Sequence, residues 1–254
     1  MNYETIQVRF EDPVCFLRIC RPEANNTIND RLIEECRQVL ELCAEKITVV
    51  VLEGLPEVFC FGADFRELHA NRTNGQSRAQ GPGPLYDLWL RLATGPYITI
   101  SHVRGKTNAG GVGFAAASDI VLADETAQFS LSELLFGLFP ACVLPFLIRR
   151  SGFQKAHYLT LMTRPITVQQ AQAWGLVDAY EPQSENLLRR HILRLKHLPR
   201  TGILRYKNYM RELNDLIVQA RARAVAANQE VFSDSQNLDR ISRYVEKGQL
   251  PWED

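Results

Sequence analysis

The chain has 254 residues, 46% hydrophobic and 23% charged, which is the balance of a globular protein large enough to bury a core without disulfides or metal. Lysine plus arginine equal aspartate plus glutamate at 29 each, so no basic excess marks a nucleic-acid footprint. The six cysteines form no C-x-x-C pair, the five histidines show no ligand spacing, and no apolar run approaches the ~18 residues of a membrane span.

The opening MNYETIQVRFED lacks the parts of a signal peptide, and most cysteines lie in apolar runs. Buried thiols in a cytoplasmic setting are the expectation, with no metal. Residues Thr5–Phe10 and Val14–Cys20 flank Glu11-Asp12-Pro13 and read as strand, turn and strand. From Asp30 to Cys43, Leu32, Ile33, Cys36, Val39, Leu40 and Cys43 share one helical face, with Asp30 as the expected N-cap. Ile47–Leu52 is a β-branched run ended by Gly54, the pattern of a strand buried on both sides. The polar, Gly- and Pro-containing stretch 71–84 predicts a mobile loop. A helix over Leu85–Ala93, a strand over Tyr97–Val103, a small-residue helix to about Ser118 and a strand over Asp119–Ala123 follow.

Strands alternating with helices predict an α/β fold with a largely parallel sheet. After about residue 183 the strand signals stop, and Leu187–Leu198, Gly202–Leu213, Leu216–Phe232 and Leu238–Val245 are helical in pattern. A boundary is therefore expected near 183, between an α/β core (1–183) and a helical C-terminal region (184–254).

The turn from Asn108 to Ala116 joins a strand to a helix through Gly110, Gly111 and Gly113 and has three readings. The glycines serve close helix–sheet packing; or Gly111–Ala116 is a dinucleotide fingerprint; or the N–H of Gly110 or its neighbour serves an oxyanion. The match begins several residues after the strand ends, where a Rossmann turn is immediate. A second loop, Val58–Phe65, also follows a buried strand and opens a helix. The pair offers free N–H groups at the carboxyl ends of parallel strands, where open α/β sheets place ligands.

With these two loops in view, FCFGADF (59–65), RGKTNAGGVGF (104–114), DIVLADETAQFSLSELLFGLFP (119–140) and AQAWGLVD (171–178) resemble, in order and spacing, the crotonase (enoyl-CoA hydratase/isomerase) superfamily. RPEANNTIN (21–29) resembles its N-terminal motif, and the likeness covers about residues 3–180. The resemblance implies a spiral of repeated ββα units with a helical C-terminal trimerisation region, assembled as a trimer or hexamer. It implies an oxyanion hole at the N–H groups of Ala63 and Gly110, with Glu133 as the catalytic carboxylate. Hydratases of the superfamily use two glutamates, and the first would fall at Gly113, where there is no carboxylate; the Δ3,Δ2-enoyl-CoA isomerases rely on one.

Taken over its whole length, including NNTINDRLIEECRQVL (25–40) and the ending PWED, the chain is most similar to the crotonase-like dehydratases of polyketide β-branching cassettes. These convert 3-hydroxy-3-methylglutaryl-acyl carrier protein to 3-methylglutaconyl-acyl carrier protein. The implied partners are an acyl carrier protein with its phosphopantetheine thioester and the other enzymes of the cassette, with no cofactor. Asp64, Asn108 and Tyr86 are candidate proton donors to the leaving hydroxyl. Arg66, His102 and Lys106 are candidates for the substrate's distal carboxylate, and Phe65 is expected at the substrate. Glu57 replaces a lysine that many CoA-using relatives carry just before F-C-x-G-A-D. The other classes open are an isomerase or hydratase on a small acyl-CoA, a nicotinamide-dependent oxidoreductase, and a non-catalytic carrier-protein scaffold.

Overall fold

The alternating N-terminus forms a hairpin, Ile6–Glu11 (β1) antiparallel to Val14–Ile19 (β2). In the computed structural model, which describes residues 3–74 and 81–253, the next element is helix Asp30–Lys46 (α1). Its apolar face is buried as the periodicity predicts. The N-cap is Asn29, not Asp30: the Asn29 side chain accepts from the Leu32 N–H at 2.9 Å, because helical dihedrals begin one residue earlier than expected.

Strand Val49–Glu53 (β3) is buried along its full length between parallel partners. After it come Val58–Cys60 (β4), Phe65–Thr73 (α2), Gly83–Thr94 (α3), Ile98–Val103 (β5), Lys106–Asn108 (β6) and Gly110–Ala117 (α4). Then follow Ile120–Ala123 (β7), Gln128–Ser130 (β8), a 3-10 turn at Glu133–Phe136, Leu144–Ser151 (α5) and Phe153–Met162 (α6). Ile166–Thr167 (β9), Val168–Ala173 (α7) and Ala179–Tyr180 (β10) lead into Ser184–Leu195 (α8), Arg200–Leu213 (α9), Leu216–Gln219 (α10), Arg221–Ser233 (α11) and Ser235–Lys247 (α12).

The strands form two sheets, one in the order β1-β2-β3-β5-β7-β10 and a smaller one in the order β4-β6-β8-β9. Each pass of the chain lays one strand in the large sheet and the next in the small one, as in β3 and β4, β5 and β6, β7 and β8. That is the ββα spiral of the crotonase fold. Because β4, β6 and β8 run parallel, their carboxyl ends lie along one edge.

The expected loop over 71–84 is corrected at both ends. Asn71, Arg72 and Thr73 belong to α2, held by Arg72 to Asp239 of α12 at 2.7 Å. Gly83 and Pro84 open α3, where a proline in the first turn lacks only an N–H that has no intrahelical partner. Residues 75–80 of that expectation lie outside the described residues. The single helix expected over Leu216–Phe232 is two, divided at Ala220, after which Arg221 forks onto both oxygens of Asp87 in α3.

The C-terminal helices are tied to the strand layer by a buried ion. Lys207 of α9 donates to Asp119 Oδ2 at 2.7 Å and to the Tyr97 carbonyl at 2.9 Å. Among the described residues no helix is long and apolar enough to cross a membrane, and no cluster of three metal-ligating side chains occurs.

Candidate active site

The loops that leave β4, β6 and β8 meet at one cavity of about 870 Å³. Ala63 follows Cys60 by three residues, Gly110 follows Asn108 by two, and Glu133 follows Ser130 by three, and all three line the cavity. The first two loops touch: a Cβ built on Gly62 would lie 2.6 Å from the Ala109 Cβ and 3.4 Å from the Gly110 nitrogen. Only glycine fits there, and its φ of +88° is one that side chains disfavour. Ala109 also takes a positive φ of 51° as it turns the chain into α4, the kind of local strain that persists where surrounding structure fixes it.

Backbone neighbours of Ala63 and Gly110 are hydrogen-bonded. Ile28 N–H donates to Gly62 O at 2.7 Å and Asp64 N–H to Ile28 O at 3.1 Å. Ala109 N–H donates to Ser130 O and Val112 N–H to Ala109 O. The N–H groups of Ala63 and Gly110 have no acceptor among the described residues, so two donors are left at the cavity wall.

Glu133 starts the 3-10 turn after β8 and is 8% exposed. Its Oε2 has no hydrogen-bond partner among the described residues. Burial pushes its pKa up to about 7, partly offset by its own backbone N–H. A carboxylate so placed can accept a proton near neutrality, in the same cavity as two donors without an acceptor among the described residues.

The other predicted residues divide. Phe65 lines the cavity and meets Phe136 edge-on at 5.1 Å. Arg66 lines it with an exposed side chain and no ion pair among the described residues. Asn108 lines it too, its side chain donating to Ser132 Oγ and accepting from Ser130 Oγ. Asp64 lines the cavity but is fully engaged: one oxygen caps α2 through the Glu67 N–H, and the other accepts from Arg21 and Thr27, each at 3.0 Å.

Tyr86 is a correction. It is buried in α3 and its hydroxyl donates to the Ile217 carbonyl at 2.7 Å, so it is packing and not part of the cavity wall. His102 is likewise buried away from the cavity, between Glu53 Oε1 at 3.2 Å and Ser184 Oγ at 2.8 Å. Lys106 and Glu57 also lie outside the wall, where the Lys106 N–H donates to the Glu57 carbonyl.

Sequence reading missed several walls. Arg21, from the N-terminal motif, reaches the cavity while pairing Asp64. Trp89 of α3, Phe232 of α11 and Tyr244 and Val245 of α12 complete it. A periodicity argument could show only that Trp89 belongs to a buried face.

The dinucleotide reading of 111–116 fails on packing. Gly111 lies so close to β4 that a Cβ would sit 2.2 Å from the Cys60 carbonyl, and one on Gly113 would sit 2.5 Å from the Trp89 ring. From Gly111 to Ala117 every residue of α4 is buried, leaving no open backbone for a pyrophosphate.

Two N–H donors and one buried carboxylate thus meet in one cavity at the ends of parallel strands, the arrangement expected from the resemblance. The Enoyl-CoA hydratase/isomerase family profile matches residues 9–254, and the chain belongs to that family. Over its full length it is 62% identical to the bacillaene synthase dehydratase PksH of Bacillus subtilis (strain 168), covering 98% of that relative. The crystal structure of the B. subtilis polyketide biosynthesis enoyl-CoA hydratase PksH matches with a TM-score of 0.96, covering 98% of this chain and all of that one. The 2,3-dehydroadipyl-CoA hydratase of Escherichia coli (strain K12) is 31% identical over 224 residues, 86% of this chain and 80% of the relative. The chain is an enzyme of the hydro-lyase class, a crotonase-type dehydratase.

Proposed function

We propose that this chain removes water from 3-hydroxy-3-methylglutaryl-acyl carrier protein to give 3-methylglutaconyl-acyl carrier protein during polyketide β-branching. The observation that carries the chemistry is Glu133, the one buried carboxylate with an unpaired oxygen among the described residues, in the same cavity as two N–H groups without an acceptor there. The likeness to a bacillaene synthase dehydratase supports the pathway and the direction.

The thioester oxygen sits between the N–H groups of Ala63 and Gly110. Stabilising the enolate there makes the α-proton accessible to a carboxylate, each preorganised donor supplying roughly 3 kcal/mol. Glu133 takes the proton from C2, the C3–O bond breaks as the C2–C3 double bond forms, and Glu133 returns the proton to the leaving oxygen. Water departs and the carboxylate is restored. One residue serves as base and acid because Asp64 is committed to Arg21, Thr27 and its helix cap and Gly113 has no side chain. Arg66, free of ion pairs among the described residues, holds the distal carboxylate.

The phosphopantetheine arm of a carrier protein enters the cavity, and the chain works as a trimer or dimer of trimers in the cytoplasm. Exposed apolar residues on α6 and α9, among them Phe153, Leu161, Tyr206, Tyr209 and Leu213, support self-association. The mass of the loaded carrier protein before and after incubation tests the reaction. Loss of one water is expected; loss of carbon dioxide or no change would overturn it.

A further inference from the structure

Of the buried side-chain polar atoms without a partner among the described residues, two belong to residues that line the cavity: Glu133 Oε2 and Trp89 Nε1. An unpartnered buried N–H costs free energy in the empty protein, which is recovered when a ligand supplies an acceptor. Trp89 is 1% exposed and fixed edge-on to Phe114 and Phe146, at 5.8 and 5.9 Å between ring centroids. Its ring has little freedom to turn toward another acceptor.

The ring also packs against the turn into α4 that carries Gly110. A Cβ on Gly110, beside the thioester-oxygen donor, would be 3.7 Å from Trp89 Cζ2. A Cβ on Gly113 would be 2.5 Å from Cζ2 and 2.6 Å from Cη2. The indole thus occupies the place where a second carboxylate would extend from residue 113.

We propose that the Trp89 Nε1–H donates a hydrogen bond to the C3 hydroxyl oxygen of the substrate. This inference rests on the dehydration reading above. Indole N–H is a donor only and does not supply a proton. It holds the hydroxyl beside Glu133 and offsets the negative charge that grows on oxygen as the C–O bond breaks, while the proton still comes from Glu133. C3 is the second carbon from the thioester carbonyl, so its hydroxyl falls next to the Gly110 end of the ring.

Two measurements test it. The first uses Glu133→Gln, which prevents turnover, and follows the indole N–H resonances, one from each of the three tryptophans. Trp174→Phe and Trp252→Phe leave the Trp89 signal identified. Saturation with 3-hydroxy-3-methylglutaryl-pantetheine is expected to move that signal downfield, and 3-methylglutaryl-pantetheine, lacking the hydroxyl, to leave it nearly unmoved. Equal movement with both compounds overturns the proposal.

The second uses Trp89→Phe, which keeps a ring and loses the N–H. Dehydration kcat is expected to fall about tenfold with KM changed less, the size of one neutral hydrogen bond. Exchange of the α-proton of the deoxy thioester into deuterium oxide should persist. Unchanged kcat, or equal loss of dehydration and exchange, overturns the role. A hydroxyl-specific shift in Glu133→Gln, with the wild-type protein releasing no water, would support the contact and refute the dehydration reading instead.

Discussion

Glu133 loses its hydration to burial and regains little from its own backbone N–H, which is why its pKa rises to about 7. Catalysis needs the carboxylate form, so kcat/KM is expected to climb with pH and level off above a midpoint near 7 in a pH–rate series. Glu133→Gln keeps the shape without the base, and turnover should fall at least about 100-fold in a carrier-protein mass assay. The same shift sets a stability effect of opposite sign. The folded pKa lies above the usual 4.5, so the group favours folding at low pH and loses that contribution as pH rises toward 7. The ionised form then opposes folding by about 3 kcal/mol, an order-of-magnitude figure from the size of the shift. Urea unfolding should therefore show Glu133→Gln more stable than wild type at pH 8, with the difference gone near pH 4. Arg66 gives a separate residue-scale prediction. Arg66→Ala is expected to raise KM about tenfold for the 3-hydroxy-3-methylglutaryl thioester, as for one lost charge-assisted contact, and to leave a 3-hydroxybutyryl thioester unaffected.

The short strands matter more than their length suggests. β4, β6 and β8 have three residues each, yet their parallel pairing sets Ala63, Gly110 and Glu133 side by side. The helices that complete the site come from the other end of the chain. α12 packs on α2 and on the turn at Glu133, where Tyr244 meets Phe136 at 5.3 Å. The docking of α9 depends on Lys207, whose buried charge lies against Asp119 and the Tyr97 carbonyl. Lys207→Ala leaves Asp119, 27% exposed, without its cation. Breaking a buried pair from one side should cost roughly 3 kcal/mol, the low end because Asp119 reaches solvent, measured as a lower urea midpoint. A midpoint equal to wild type would mean that Lys207 does not anchor the tail.

With Lys plus Arg equal to Asp plus Glu at 29 each, the molecule has no net positive charge to favour the nucleotide of CoA over a protein carrier. With the pantetheine arm common to both, kcat/KM is expected to be higher for the carrier-protein substrate than for the CoA ester, and equal values would remove the carrier assignment. The apolar residues exposed on α6 and α9 predict assembly. Sedimentation should give a multiple of three protomers, and Tyr206→Glu with Leu213→Glu should shift it toward smaller species.

What the sequence determined by itself is what local pattern and motif carry. The buried face of α1 and the hairpin of β1 and β2 follow from periodicities of 3.6 and 2, and β3 follows from a continuous β-branched run. That Ala63, Gly110 and Glu133 would meet was legible through the motif order of the resemblance, and all three line the cavity. Three-residue strands are too short for any period to show, and so β4, β6 and β8 went unread while the loops they aim were found. Tyr86, His102 and Trp89 carry groups that serve a core or a cavity equally well. Tertiary structure decided among them: Ile217 O took the Tyr86 hydroxyl, Glu53 and Ser184 took the His102 ring, and no described residue took the Trp89 N–H. A side chain's chemistry is written at its own position, but its hydrogen-bond partners come from residues as far as 173 positions away, and only the fold brings them within reach.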